Sequence, residues 1–472
     1  MLLLTCNLCL AQQKNRMHIK YPPQQLSEDA KVFRDAVLAM HPVIGFYESR
    51  SKYEDDFAKL ISSLNDSLTE KEFRLRLKLL MDQLHCGHSD VYYSKETMAI
   101  IGKQRLNFSP YLFLPVGEKV YLLGAMLDKP DSSFHKGCEI VSINGIGVDS
   151  MIRYMRRLIT TDGYSPIAKD HYIQLGFNTY FPALFGRPDT FTVDFLDGYI
   201  KKTIRFPAKQ YRNLPQLPLK QKQDSLFHRI RRSGVSWRYL DNNKKTIVVR
   251  IDAFSHSAYA RAHRRIFRRA RRHGVDKMII DLRNNGGGSL ANTYNLLSYV
   301  MDHPVNQTLK TRVRNYPLKQ YTKGNVWFRL TRFIFSHIGK HIVVGDTDVY
   351  VYTIVPRKRN HYDGALYVFT NGGTFSAAAM TAAYIKQRPN SMLIGEETGG
   401  AAEGCNAGVT AVYRLPNTGL RVFVPAFRIV HDVSSNKTGK GVLPNVPIHY
   451  GYKDLQLRRD LELEYFLQFI QK

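Results

Sequence analysis

Between residues 246 and 394, β-branched apolar runs alternate with amphipathic helical patterns, and this alternation restricts the possible folds more than any other feature. Segments 246–251, 278–282, 366–370 and 392–394 read as strands. Segments 258–273 (closed by Gly274), 290–300 and 376–387 read as helices between them. Strands joined through helices at this spacing pair in parallel, because a parallel connection has to cross over the sheet. An α/β core over 236–472 is therefore expected, with extended segments over 409–450 and a closing helix over 455–470.

The first part of the chain has a different texture. Ser27 precedes a helical face of Val32, Phe33, Ala36, Val37 and Met40, and Thr69 with Glu72 forms a capping-box pattern, so 20–95 is expected to be a helical domain. From about residue 106, short strand patterns take over. They include 139–143 followed by the turn pair Asn144-Gly145, a helix pattern through Met151, Tyr154, Met155 and Leu158, and a hairpin over 190–206. The order around HKGCEIVSINGIGV resembles a PDZ domain, expected over 103–210 with 163–188 as an insertion. That resemblance implies a peptide groove at Val141, Ile143, Met151 and Met155, with strand addition as its binding mode. The Pro-, Gln- and Lys-rich 211–235 reads as a linker. The expected class is thus a multidomain α/β (α+β) protein, in keeping with 472 residues at roughly 150 per domain.

Hydrophobic residues at 44% and charged residues at 23% exclude disordered and collagen-like classes. Lys and Arg exceed Asp and Glu by a net +28, which permits anionic partners. The seven arginines of the 258–273 helix read as the solvated face of a crossover helix; no stacking platform or groove-reading motif accompanies them, and no nucleic acid is expected. The opening run MLLLTCNLCLA is too short to span a bilayer and reads as the apolar part of an export signal over 1–11, and no other segment reads as transmembrane. Cys86, Cys138 and Cys405 then remain, too few and too widely spaced for a disulfide framework.

Three segments carry residues suited to chemistry. In MIIDLRNNGGGSL a strand runs into three glycines, which suits an oxyanion hole, a phosphate cradle or a plain tight turn; no Gly-Lys-Ser/Thr follows to support the phosphate. In LYVFTNGGTFSAAAMTAAYIKQ a strand turns sharply into an Ala-rich helix at Ser376, the layout of a nucleophile elbow, although a serine there also serves as a cap. In LHCGHSDV, His88 could be a general base, a structural histidine, or with His85 and Cys86 the start of a zinc site; no second ligand pair follows, so no metal is expected.

Taken in this order, DLRNNGGG, NGGTFSAAA and LIGEETGG resemble the tail-specific, or carboxyl-terminal processing, serine peptidases over roughly 25–450. The resemblance implies a PDZ-like domain, a crotonase-like core, a peptide or protein substrate and no cofactor. It implies Ser376 as nucleophile, with the Gly287 and Ala377 N–H groups as oxyanion hole. One branch of the family takes a lysine base just after the GEETGG position, but here Ala401 follows and the next lysine is Lys437. The tricorn-like branch takes a histidine from an N-terminal helical segment, which implies His88 as base. Where that branch has a serine before the histidine this chain has Gly87, and its orienting acid is matched only loosely, by Asp432 or else by Glu397 or Glu403. The implied activity is that of an exported serine endopeptidase. A weak or inactive peptide-binding homologue, or a lipid- or small-ligand-binding module on the same core, are the alternatives.

Overall fold

The computed structural model describes residues 16–211, 226–434 and 438–471. The expected signal 1–11, most of the linker and Lys437 lie outside these residues.

Three helices open the described chain: α1 (Pro23–Met40), α2 (Arg50–Ser62) and α3 (Glu70–Asp82). α1 begins at Pro23 rather than after Ser27, since proline at the first helical position gives up an N–H that has no partner there anyway. α3 starts with the Thr69–Glu72 capping box the sequence suggested. These helices have no separate core. Phe33, Phe57 and Phe73 share one apolar cluster with Tyr413, Val422 and Phe427 from the far end of the chain. The short strand β1 (Asp90–Tyr92) completes the union, as shown below.

A six-stranded antiparallel sheet follows; five strands run in the order β6-β5-β4-β3-β2, from β2 (Tyr111–Val116), β3 (Lys119–Ala125), β4 (Glu139–Ile143), β5 (Thr190–Asp197) and β6 (Ile200–Pro207), and the short strand Ile146–Gly147 pairs with β4. Asn144 and Gly145 both take positive φ, 52° and 78°, as the tight turn after β4 requires. Two helices cover the sheet, α4 (Val148–Arg156) and α5 (Pro166–Phe185). The segment read as an insertion is thus mostly one helix, and it supplies Ile173, Phe177 and Phe181 to this sheet's core.

The central sheet has the order β7-β8-β9-β10-β14-β15-β18. Its first three strands, β7 (His228–Ile230), β8 (Val235–Tyr239) and β9 (Thr246–Ile251), are antiparallel. The expected linker therefore ends earlier than 235. The rest run parallel: β10 (Lys277–Asp281), β14 (Ala365–Thr370), β15 (Ser391–Gly395) and β18 (Val446–Pro447). Helices α6 (Tyr259–His273), α7 (Leu290–Val300) and α9 (Ala377–Lys386) pack on it, and α6 ends at Gly274 in the left-handed conformation.

The third sheet, order β12-β13-β11-β17-β16, is built from β11 (Val305–Thr311), β12 (Lys340–Val344), β13 (Thr347–Ile354), β16 (Gly404–Arg414) and β17 (Arg421–His431). It carries helix α8 (Asn325–Ile338). β1 pairs antiparallel with β17, Val91 opposite Val422. This pairing ties the N-terminal helices to the α/β core and fixes where residues 85–89 lie. The closing helix is broken at Arg458, which adopts left-handed geometry, and resumes as α10 (Leu461–Ile470).

Candidate active site

β10 and β14 are neighbours, and both end in loops on the same edge of the central sheet. After β10, Asn284 and Asn285 brace the loop that follows β14. The Asn284 N–H donates to Asn371 Oδ1 at 2.9 Å, the Asn371 amide returns a bond to Asn284 Oδ1, and the Phe375 N–H donates to the Asn285 carbonyl. Thr374 adds a hydrogen bond from its hydroxyl to the Leu282 carbonyl at 2.9 Å. Both asparagines of NNGGG thus act on the segment that holds Ser376.

Ser376 itself has φ 53° and ψ −123°, a conformation that costs about 1–3 kcal/mol for a residue with a side chain. It precedes the first residue of α9, yet its side chain makes no cap hydrogen bond. The hydroxyl instead faces His88, with Oγ 3.1 Å from Nε2 across 288 positions of sequence. The packing leaves little room for anything else. A Cβ at Gly287 would lie 2.8 Å from Ser376 Cβ, and one at Gly400 would lie 2.9 Å from the Ser376 nitrogen. The glycines of GGG and ETGG are therefore required by close approach.

Ala377 is the first residue of α9, and among the described residues its N–H has no hydrogen-bond partner. The Gly287 N–H, the other expected oxyanion donor, is engaged within its own loop, donating to Asn285 Oδ1 at 2.9 Å. The neighbouring Gly286 and Gly288 N–H groups have no such partner among the described residues.

The carboxylate beside His88 is none of the three expected from sequence. Asp162 lies just before α5, 1% exposed, with Oδ1 3.6 Å from His88 Nδ1 and accepting the Gly87 N–H at 2.9 Å. Its segment is held along 85–89 by the Gly163 N–H to the His85 carbonyl and by the Thr160 hydroxyl to the Ser89 carbonyl. The three acids considered from sequence lie elsewhere. Asp432 is exposed; Glu397 accepts the Gly441 N–H; Glu403 accepts the Tyr47 hydroxyl and the Gly439 N–H. No sequence spacing marks Asp162, because only the packing of a loop from the β2–β6 region against the N-terminal helices brings it here.

Gly87 has a steric reason. A Cβ there would sit 2.5 Å from Phe375 Cζ, and Phe375 stacks on the His88 ring with centroids 5.0 Å apart. Beneath the imidazole, Cys86 is buried beside Ser89, whose hydroxyl bonds both the Cys86 sulfur (3.2 Å) and His41 Nε2 (2.8 Å). Burial pushes the Cys86 thiol up, and the His41 and His88 rings more than reverse this, to about 6. Burial likewise opposes the His88 imidazolium, but the Asp162 carboxylate and Cys86 outweigh it and raise His88 to about 10. The donor atoms of Cys86, His88 and Asp162 lie within 4.8 Å of one another, as do those of His135, Cys138 and Asp197, so both sets could hold a metal ion. His85, the third zinc candidate from sequence, instead packs its ring on Tyr47 and Tyr164.

The expected peptide groove is not open. Ile143, Met151 and Met155 are fully buried core residues of the sheet that holds β2–β6, and Val141 is only partly exposed on β4, between its two neighbouring strands. The edge strand β2, where an added strand would pair, is already occupied by α5. Asn178 Oδ1 accepts the Phe113 N–H at 2.9 Å, Asn178 Nδ2 donates to the Phe113 carbonyl at 2.8 Å, and Gln174 donates to the Pro115 carbonyl at 3.0 Å.

Residues 245–448 match the family model described as peptidase family S41. No curated protein matches the chain. Among solved structures, mature CPAF superposes with a TM-score of 0.63 at 14% identity, covering 95% of this chain and 97% of that one. CPAF complexed with lactacystin gives the same TM-score and identity, over 95% and 98%. At that identity the likeness establishes the fold. The family match spans both glycine loops, Ser376 and the ETGG turn, so the part of the chain that holds Ser376 is similar to the S41, or tail-specific, serine peptidases.

Proposed function

We propose that the chain is an exported serine endopeptidase in which Ser376 forms an acyl-enzyme and His88 is the general base. The 3.1 Å contact between Ser376 Oγ and His88 Nε2, with the hydroxyl released from any capping duty, is the observation that carries this reading. Neutral His88 accepts the Ser376 proton as Oγ attacks the peptide carbonyl. The resulting oxyanion meets the Ala377 N–H at the positive end of α9, with an N–H from the Gly286–Gly288 loop as second donor; one such donor is typically worth about 3–4 kcal/mol. His88 then hands its proton to the leaving amine, and water, deprotonated by the same ring, releases the acyl group. Asp162 balances the imidazolium that forms. Export rests on the apolar segment 1–11.

One observation favours a weaker catalyst as second reading. Asp162 and His88 make no hydrogen bond at 3.6 Å, and the imidazole holds its proton to about pH 10. Labelling by a fluorophosphonate tests the proposal: adduct is expected on wild type and absent from Ser376→Ala. Equal labelling of both would overturn it, and no labelling of either would leave the binding scaffold.

A further inference from the structure

The third sheet carries an apolar face that nothing among the described residues covers. α8 anchors itself inward through Phe328 and Phe335, which pack against Phe427. Its outward side should then be polar, but Val326 (77% exposed), Trp327 (71%), Leu330, Phe333 (60%) and Ile334 are solvent-facing. Spacings of three and four place these residues on one side of the helix. Beside them the sheet's terminal strand β12 exposes Ile342, Val343 and Val344. A groove of about 570 Å³ lined by Val326, Arg329, Leu330 and Phe333 runs through the patch. Contiguous exposed apolar surface of this kind marks a docking face.

Charge selects the occupant. Residues 305–354 hold eight lysines and arginines against only Asp346 and Asp348, and Arg312, Arg314, Lys319, Lys323, Arg329 and Lys340 are exposed around the patch. A second copy of a chain at +28 would be repelled, whereas an anionic surface is attracted. An exposed tryptophan and phenylalanine among leucine and isoleucine, with basic residues flanking them, is the make-up of a helix lying in a lipid interface. Among the described residues no helix is long and apolar enough to cross a membrane. We propose that α8 and β12 form a docking face for an anionic lipid bilayer, with the helix lying flat at the headgroup level and Trp327 inserted.

Trp327 reports its own insertion, because the chain has two tryptophans and the other, Trp237, is buried. The full chain is mixed with vesicles of phosphatidylcholine containing phosphatidylglycerol, and with vesicles of phosphatidylcholine alone. Co-sedimentation and a blue shift of tryptophan emission are expected with the anionic vesicles only, weakened by salt. The double variant Leu330→Asp/Phe333→Asp, at exposed positions, should lose partitioning by about tenfold or more, while Arg268→Glu/Arg272→Glu on α6 should stay within about twofold. Equal binding by the Leu330/Phe333 variant, or loss only in the α6 variant, would overturn the proposal in favour of general electrostatic adsorption. Absence of vesicle binding together with a dimer that the Leu330/Phe333 variant abolishes would overturn it in favour of a second copy.

Discussion

Asp162 lies 3.6 Å from His88 Nδ1 while its Oδ1 takes the Gly87 N–H at 2.9 Å, so one buried carboxylate holds the loop before the ring that faces Ser376 and raises the charge state of that ring. The raised His88 is a poor base at neutral pH, and its neutral form accumulates only as pH rises towards about 10. The acylation rate should therefore climb with pH, with its acid limb well above the 6.5 of an ordinary histidine. Asp162→Asn removes the anion, so the limb should move to lower pH while the plateau falls by about 10²–10⁴. A pH–rate profile of fluorophosphonate labelling checks this; an unmoved limb would assign the shift to another group.

At Gly87 the expectation is steric. Gly87→Ser puts its Cβ against Phe375 and should destabilise the fold by about 1–3 kcal/mol. Pairing it with Phe375→Leu should recover much of the lost stability and labelling. Chemical denaturation of the single and double variants measures the coupling.

Much of the α/β core was legible because its strands and helices are locally consistent. The 246–251 strand, the 290–300 helix and the Gly274 stop coincide with β9, α7 and the α6 cap. Ser376 and its glycines stood out through three motifs taken in order, since the strand–glycine–helix turn alone reads equally as a cap or a plain tight turn. Asp162 was not, because its role arises between three separate parts of the chain. The occupied edge of β2 was hidden too: Asn178 looks like any polar residue in a helix until its amide is seen bonding both groups of Phe113. Nor does local pattern reveal that the helical segment has no core of its own.

Gly287→Ala tests the oxyanion loop. With φ 96° and a Cβ placed 2.8 Å from both Ser376 Cβ and the Phe375 carbonyl, alanine would displace the nucleophile. Acylation should fall by about 100-fold or more, since misplacement of about 1 Å is sufficient for such a loss, and the positive φ should cost about 1–3 kcal/mol of stability, read by chemical denaturation.

Arg283 links the catalytic loop to the C-terminal helix, pairing with Asp281, Asp460 and Glu462 at 2.7–2.9 Å in a buried site. Arg283→Met leaves Asp460 and Glu462 without their cation and Asp281 with Arg250 alone, and should cost about 3–5 kcal/mol. Limited proteolysis should then cut near α10 first; protection equal to wild type would show that apolar packing of Phe466 suffices.

The central claim is that Ser376 becomes acylated with His88 as its base. Acid-quenched reaction with an activated ester, followed by intact mass and peptide mapping, reads this directly. One acyl group on Ser376 is expected in wild type, none in Ser376→Ala, and formation slowed by about four orders of magnitude or more in His88→Ala. Hydrolysis without an acyl-enzyme, or acylation at an unchanged rate in His88→Ala, would contradict the account.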